Sequence, residues 1–129
     1  MNIFSGSELG FEPADPRNFV GNARVRRLPM VEGGSPVTVY LVDFSAGGRT
    51  NWHIHSAPQL LLVVDGSGFV QKWGGPIRTI AAGDAVTIEP NEKHWHGAAT
   101  TTGMSHFAVN LNLQTTWLEP VTDDQYRAS

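Results

Sequence analysis

The sequence predicts an all-β barrel or sandwich in a single domain, and three observations predict it. Fourteen glycines and eight prolines are spread over all 129 residues instead of being gathered into a linker. They separate apolar runs of about four to eight residues, the length of strands and not of helices. Four of the five histidines form two i, i+2 pairs, His53 with His55 and His94 with His96, the spacing that puts two side chains on one face of a strand.

Taken in order, residues 1–22 are expected to be an arm lying across the surface or onto a partner subunit, with Asp15-Pro16-Arg17-Asn18 capping one turn. Residues 23–121 carry the strands: Ala23–Leu28, Pro36–Phe44, Arg49–His53, Gln59–Asp65, Phe69–Trp73, Ile77–Ile80, Ala85–Ile88, His94–Gly97 and Met104–Leu113. Turn chemistry lies between them at Glu32-Gly33-Gly34-Ser35, Ala46-Gly47-Gly48, Asp65-Gly66-Ser67-Gly68, Trp73-Gly74-Gly75-Pro76 and Ala82-Gly83-Asp84. Residues 122–129 form the tail, where Thr122-Asp123-Asp124-Gln125 reads as a capping box opening a short helix.

Composition excludes several classes of function. Charged residues make up 16% and the net charge is −3, which leaves no electrostatic footprint for nucleic acid or an anionic membrane. Absence of cysteine rules out disulfides, a thiolate nucleophile and zinc-thiolate or iron–sulfur chemistry. The first residues show neither a basic region nor an apolar run of signal-peptide length, and no segment approaches a membrane span. The expectation is a cytoplasmic protein.

All five histidines, including His106, fall between residues 53 and 106, with Gln59 four places after His55. Neutral imidazole is the commonest ligand for a first-row divalent metal, so three of these histidines plus Gln59 can hold one ion with positions left open for substrate. His94 with His96, and His106 with Ala108 and Asn110, share an inward strand parity. Trp52 and Trp95 have the opposite parity and are expected to pack outside the pocket.

Gly47, five residues, His53-Ile54-His55, three residues, Gln59, six residues, Gly66 resembles the first motif of the cupin superfamily in every spacing. Gly83, Pro90 and His94 resemble the second. This implies a single-domain cupin barrel, the jelly-roll-like double-stranded β-helix with short peripheral helical turns, and metal ligands His53, His55, Gln59 and His94. The similarity is closer to small manganese-binding cupins that include bacterial hydroxynitrile lyases. It is carried by Arg49-Thr50 before Trp52-His53, by Glu92-Lys93-His94-Trp95-His96-Gly97-Ala98-Ala99, by Met104-Ser105-His106 and by the tail Val121–Arg127. It implies one divalent metal, Mn(II) first, with Fe(II), Ni(II) or Zn(II) also accommodated. The implied reaction is C–C lysis of small aromatic or aliphatic cyanohydrins. The chain departs from that group in carrying Gln59 for the usual cupin glutamate, Tyr40 for a small residue and Asn110 for glutamine.

The resulting catalytic assignment is His106 as proton acceptor, with His96 and Thr50 beside it; Lys93 or His96 is a candidate to stabilise leaving cyanide. Tyr40, Val42, Leu61, Ala108 and Asn110 are expected to line the substrate pocket, with Val63 and Phe44 completing its apolar wall. Two other functions fit the same donor set: an iron or manganese dioxygenase, and a non-catalytic small-molecule binding or sensor module. Beyond the small-molecule substrate, the expected partner is a second copy of the chain, in a homodimer or homotetramer, with no nucleic acid and no membrane.

Overall fold

In the computed structural model, which describes residues 1–30, 36–112 and 114–128, the chain is a curled antiparallel sheet of twelve short strands with one helix. The strands are β1 (Glu12–Pro13), β2 (Phe19–Val20), β3 (Ala23–Arg27), β4 (Val37–Phe44), β5 (Arg49–Thr50), β6 (His53–His55) and β7 (Gln59–Lys72). After these come β8 (Arg78–Ala81), β9 (Ala85–Ile88), β10 (His94–Ala98), β11 (Met104–Leu111), β12 (Thr115–Trp117) and helix α1 (Asp123–Arg127). The expected turn at Glu32-Gly33-Gly34-Ser35 and the expected strand end at Leu113 lie outside the described residues.

β7 organises the barrel by belonging to both walls. Its first half pairs with β11 and β9, and its second half with β10 and β8. One wall therefore runs β1-β3-β4-β11-β7, and the other continues from β7 through β10 to β5 and β2, with β6 bridging β10 and β12. Of the expected arm, residues 12–13 pair with β3 and residues 19–20 with β5, while 16–18 form a turn.

The sequence predicts a turn at Asp65-Gly66-Ser67-Gly68, and here the structure corrects it: one strand, β7, continues through these residues without reversing. Register slips between Ser105 and His106 opposite β7, which is a bulge, and Gly66 sits at φ +73°. The same residues that would close a turn instead let one strand bend from one wall to the other. A Cβ on Gly66 would run into the Gly103 carbonyl oxygen as well as occupy the left-handed region. Gly66→Ala is expected to cost about 2 kcal/mol or more, to be read as a lowered midpoint in urea unfolding at unchanged m-value.

The apolar interior divides into a cluster around Val42, Phe44, Val63, Ile80 and Met104 and a second of Leu61, Ile88 and Ala108. Trp52 and Trp95 fall in a third cluster with Val121 and Tyr126, away from the histidines, as their parity predicts. The capping box forms as expected: Thr122 accepts from the Gln125 backbone and Gln125 answers to the Thr122 backbone. Buried Arg49 donates to the Val121 carbonyl at 2.7 Å and to Asp123 at 2.9 Å, pinning this tail to the barrel.

The outer face of the β4-β11-β7 wall is apolar. Leu41, Phe107 and Leu62 form one cross-strand row and Val39, Val109 and Leu60 the next, flanked by Val64 and Leu111. Leu62, Val64 and Leu111 are 37%, 48% and 51% exposed. Among the described residues, no helix is long and apolar enough to cross a membrane.

Candidate metal centre and its cavity

Strand parity brings the histidines together. β6 faces His53 and His55 inward, β10 pairs His94 directly opposite His53, and His96 follows one pleat on. All four are 1–4% exposed. Ring centroids lie 4.2 Å apart for His53 and His94, 4.9 Å for His53 and His55, 5.1 Å for His55 and His94, and 5.4 Å for His53 and His96. Gln59, at the start of β7, stands opposite Asn110 of β11 and is also buried.

Hydrogen bonds fix what these side chains offer. His53 Nδ1–H donates to the Asn51 carbonyl and His94 Nδ1–H to the Glu92 carbonyl, each at 2.8 Å. A carbonyl only accepts, so both rings carry their lone pair on Nε2. His55 Nδ1 meets Thr115 Oγ1 at 3.0 Å, and Gln59 Nε2 donates to Asn110 Oδ1 at 2.8 Å. This leaves Nε2 of His55, His94 and His96 and Oε1 of Gln59 buried without a partner. Several orphaned polar atoms in one interior cluster are costly. A divalent cation satisfies those that carry a lone pair, His94 Nε2 and Gln59 Oε1 first among them, so the residues present fit a metal.

The compact group among the described residues is His53, His94 and His96, whose ligating atoms lie within 4.8 Å of one another and which could bind a metal ion. It shares His53 and His94 with the set the resemblance implied and has His96 where that set has His55 and Gln59.

His96 and His106 form the remaining pair, His96 Nδ1 lying 2.9 Å from His106 Nε2. One proton occupies that contact, and its owner decides two functions at once. If His96 holds it, His96 Nε2 is a free ligand atom while His106 Nε2 is consumed. If His106 holds it, His106 Nδ1 keeps a lone pair and His96 presents Nε2–H, which cannot ligate. The pair can supply a ligand or a base, not both in one state.

The cavity beside this cluster encloses about 400 Å³. Tyr40, Val42, Ala108 and Asn110 line it as expected, with Thr50, His53, His55, Gln59, His96 and His106. Leu61, Val63 and Phe44 do not: their strand parity is inward, but they are packed into the apolar interior behind the cavity wall. His94 is turned toward a separate hollow that it shares with Val86, Ile88 and Glu92. Lys93, read as a possible partner of cyanide, points away to pair with Glu119 at 2.9 Å and lie 3.6 Å over the Trp73 ring.

The model of the cupin domain matches residues 40–110. A further relative, an (R)-mandelonitrile lyase of Granulicella tundricola, is 43% identical over 121 residues, covering 92% of this chain and 91% of its own. The chain is a cupin. Among solved structures, a cupin-like protein from Thermotoga maritima superposes with a TM-score of 0.87 at 37% identity, covering 98% of this chain and 96% of its own. A putative acetylacetone dioxygenase from Methylibium petroleiphilum, at 16% identity, a TM-score of 0.73 and coverage of 93% and 82%, shares the fold.

The cavity of this cupin also has walls that sequence reading missed. Phe19 comes from β2, Thr115 and Trp117 from β12, and Val25 and Thr38 from β3 and β4. Thr115 and Trp117 do alternate as strand neighbours, but a three-residue strand leaves little periodicity to detect. Nothing local marks Asn51 and Glu92 as the carbonyls that orient His53 and His94.

Burial keeps the cluster neutral. His53 and His96 are pushed well below the usual imidazole range, first by desolvation and then by neighbouring rings. His94 and His106 are each pushed down to about 4, chiefly by desolvation. Because the unfolded chain regains ordinary histidines, it binds more protons than the folded one between about pH 6.5 and pH 4. Stability of the metal-free protein is therefore full above about pH 6.5 and is lost as pH falls toward 4, on the order of 3 kcal/mol for each of His94 and His106. Urea midpoints at pH 7 and pH 4.5 check this; equal midpoints contradict it.

Proposed function

We propose that this cupin is a metal-dependent carbon–carbon lyase that splits small cyanohydrins into an aldehyde or ketone and cyanide. The observation that carries the reading is the gathering of buried histidines, with unpartnered ring nitrogens on His55, His94 and His96, beside a small cavity that His53, His55, Gln59, His96 and His106 line. Likeness to the mandelonitrile lyase over nearly the whole chain supports the reaction class.

The ligand set we assign is His53, His55, Gln59 and His94, with Mn(II) the metal. A divalent ion there supplies Lewis-acid polarisation of the substrate oxygen, undiminished by any carboxylate in the donor set. His106 Nδ1 accepts the hydroxyl proton. The C–C bond electrons leave with cyanide as the carbonyl forms. His96 Nε2–H gives its proton to cyanide, and His106 Nε2–H passes its own to His96 Nδ1, so both rings end neutral but in the opposite tautomer, and return of the shared proton to His106 Nε2, with exchange at the two outer nitrogens, resets the pair before the next turnover. Thr50 Oγ1 accepts from the His96 backbone at 3.2 Å and holds that strand against the cavity. Val42, Ala108 and the Tyr40 ring exclude water and suit a small uncharged substrate.

Manganese-loaded protein incubated with mandelonitrile under argon tests this: cyanide should appear faster than in buffer, at the same rate as in air. Turnover only in air would establish the oxygenase instead. Thermal stabilisation by substrate with no product would leave a binding module.

The partner we propose is a second copy covering the apolar outer face of the β4-β11-β7 wall, where Leu62, Val64 and Leu111 stand exposed on one continuous apolar surface. Light scattering should give at least twice the mass of one chain, and Leu62→Asp should return it to one.

A further inference from the structure

Gln59 differs from its histidine neighbours in having two chemically opposite ends. Its carboxamide presents an oxygen that can ligate a cation or, rotated half a turn, an NH2 group that cannot. A histidine is oriented by the acceptor on its Nδ1, as the Asn51 and Glu92 carbonyls do here. For Gln59 the same office falls to one side chain. Asn110, directly opposite on β11, turns Oδ1 to Gln59 Nε2 at 2.8 Å, within the barrel interior. Gln59 Oε1 is then left buried with no protein partner, on the cavity it shares with His55.

We infer that Asn110 is the positioning residue for the metal site, holding Gln59 so that its oxygen and not its nitrogen faces the histidines. This rests on the metal-dependent reading above. Groups that orient ligands without touching the ion typically control metal affinity by about 10–100-fold. Leucine at 110 branches as asparagine does but offers no acceptor, so Gln59 gains nothing from keeping its nitrogen toward it. Aspartate keeps an acceptor in the same place and has no donor end to turn toward Gln59, while its negative charge also favours a nearby cation, so weakened binding is the result that counts against the role. Glutamate at 59 has two equivalent oxygens and no wrong end, so it has no need of a partner to choose between them.

The experiment is a double-substitution cycle read by competition of Mn(II) against a chelating dye, on the full-length protein, with thermal melts of each metal-free variant. Asn110→Leu is expected to weaken Mn(II) binding at least tenfold, Asn110→Asp to bind at least as tightly as the parent, and Asn110→Leu placed in Gln59→Glu to cost less than about threefold relative to Gln59→Glu alone. Equal loss in both backgrounds overturns the positioning role, as does weakened binding in Asn110→Asp, which decides the matter even if Asn110→Leu does not fold. Parent protein that binds no Mn(II) removes the metal reading itself, whereas a parent that binds and an Asn110→Leu variant that binds equally removes only this inference.

Discussion

His106→Ala is expected to retain its metal while cyanohydrin cleavage falls by about 10²–10⁴-fold, the usual worth of a general base. His106 is fully buried, lines the cavity and, among the described residues, shares a side-chain hydrogen bond with His96 alone. Its pKa, pushed down to about 4 by desolvation, keeps it neutral and ready to accept a proton throughout the neutral range. Its contribution to rate should thus be flat at neutral pH and decline as pH falls toward 4, where protonation removes the lone pair. His106→Gln separates base from packing, since a carboxamide can still meet His96 Nδ1 yet takes no proton. Cleavage by His106→Gln at near the parental rate would remove His106 as the base.

The second large effect divides His55 from His96. With His106 as base, its Nε2–H occupies His96 Nδ1, so His96 cannot ligate through Nε2, and the ion depends on His55 and Gln59 to complete the set begun by His53 and His94. His55→Ala is then expected to weaken Mn(II) binding by more than about 100-fold, and His96→Ala to keep the metal while losing most turnover. The reverse pattern, metal lost with His96 and kept without His55, would make the compact group of His53, His94 and His96 the true ligand set. In that case His106 Nε2 is tied up accepting from His96, and the proton must leave the substrate by another route. The chemistry of the site therefore turns on the address of one proton.

Much of this was legible in sequence because strand geometry has a period of two. The i, i+2 histidine pairs fixed the inward parity of β6 and β10, and the same rule put Trp52 and Trp95 on the far side. Parity does not give depth. Leu61, Val63 and Phe44 share the inward face yet lie behind the cavity, because how far a side chain stands from the mouth depends on barrel curvature and not on alternation. Turn chemistry was ambiguous in a similar way: Asp65-Gly66-Ser67-Gly68 can close a hairpin or bulge a strand, and only pairing across to β11 selects the bulge. Thr115 and Trp117 reach the cavity through pairing with β6, sixty residues back in the sequence, a contact with no local signature. The Gln59–Asn110 bond, between residues 51 apart, was invisible for the same reason, although both residues were recognised separately.

Metal analysis of the purified protein after dialysis against Mn(II) tests the account most directly, because His53 and His94 are the two proposed ligands whose lone pairs backbone carbonyls fix outright. The parent chain should retain one ion per protomer, and the His53→Ala/His94→Ala variant none. A parent protein that retains no ion, or a double variant that retains as much as the parent, contradicts a metal centre at these histidines.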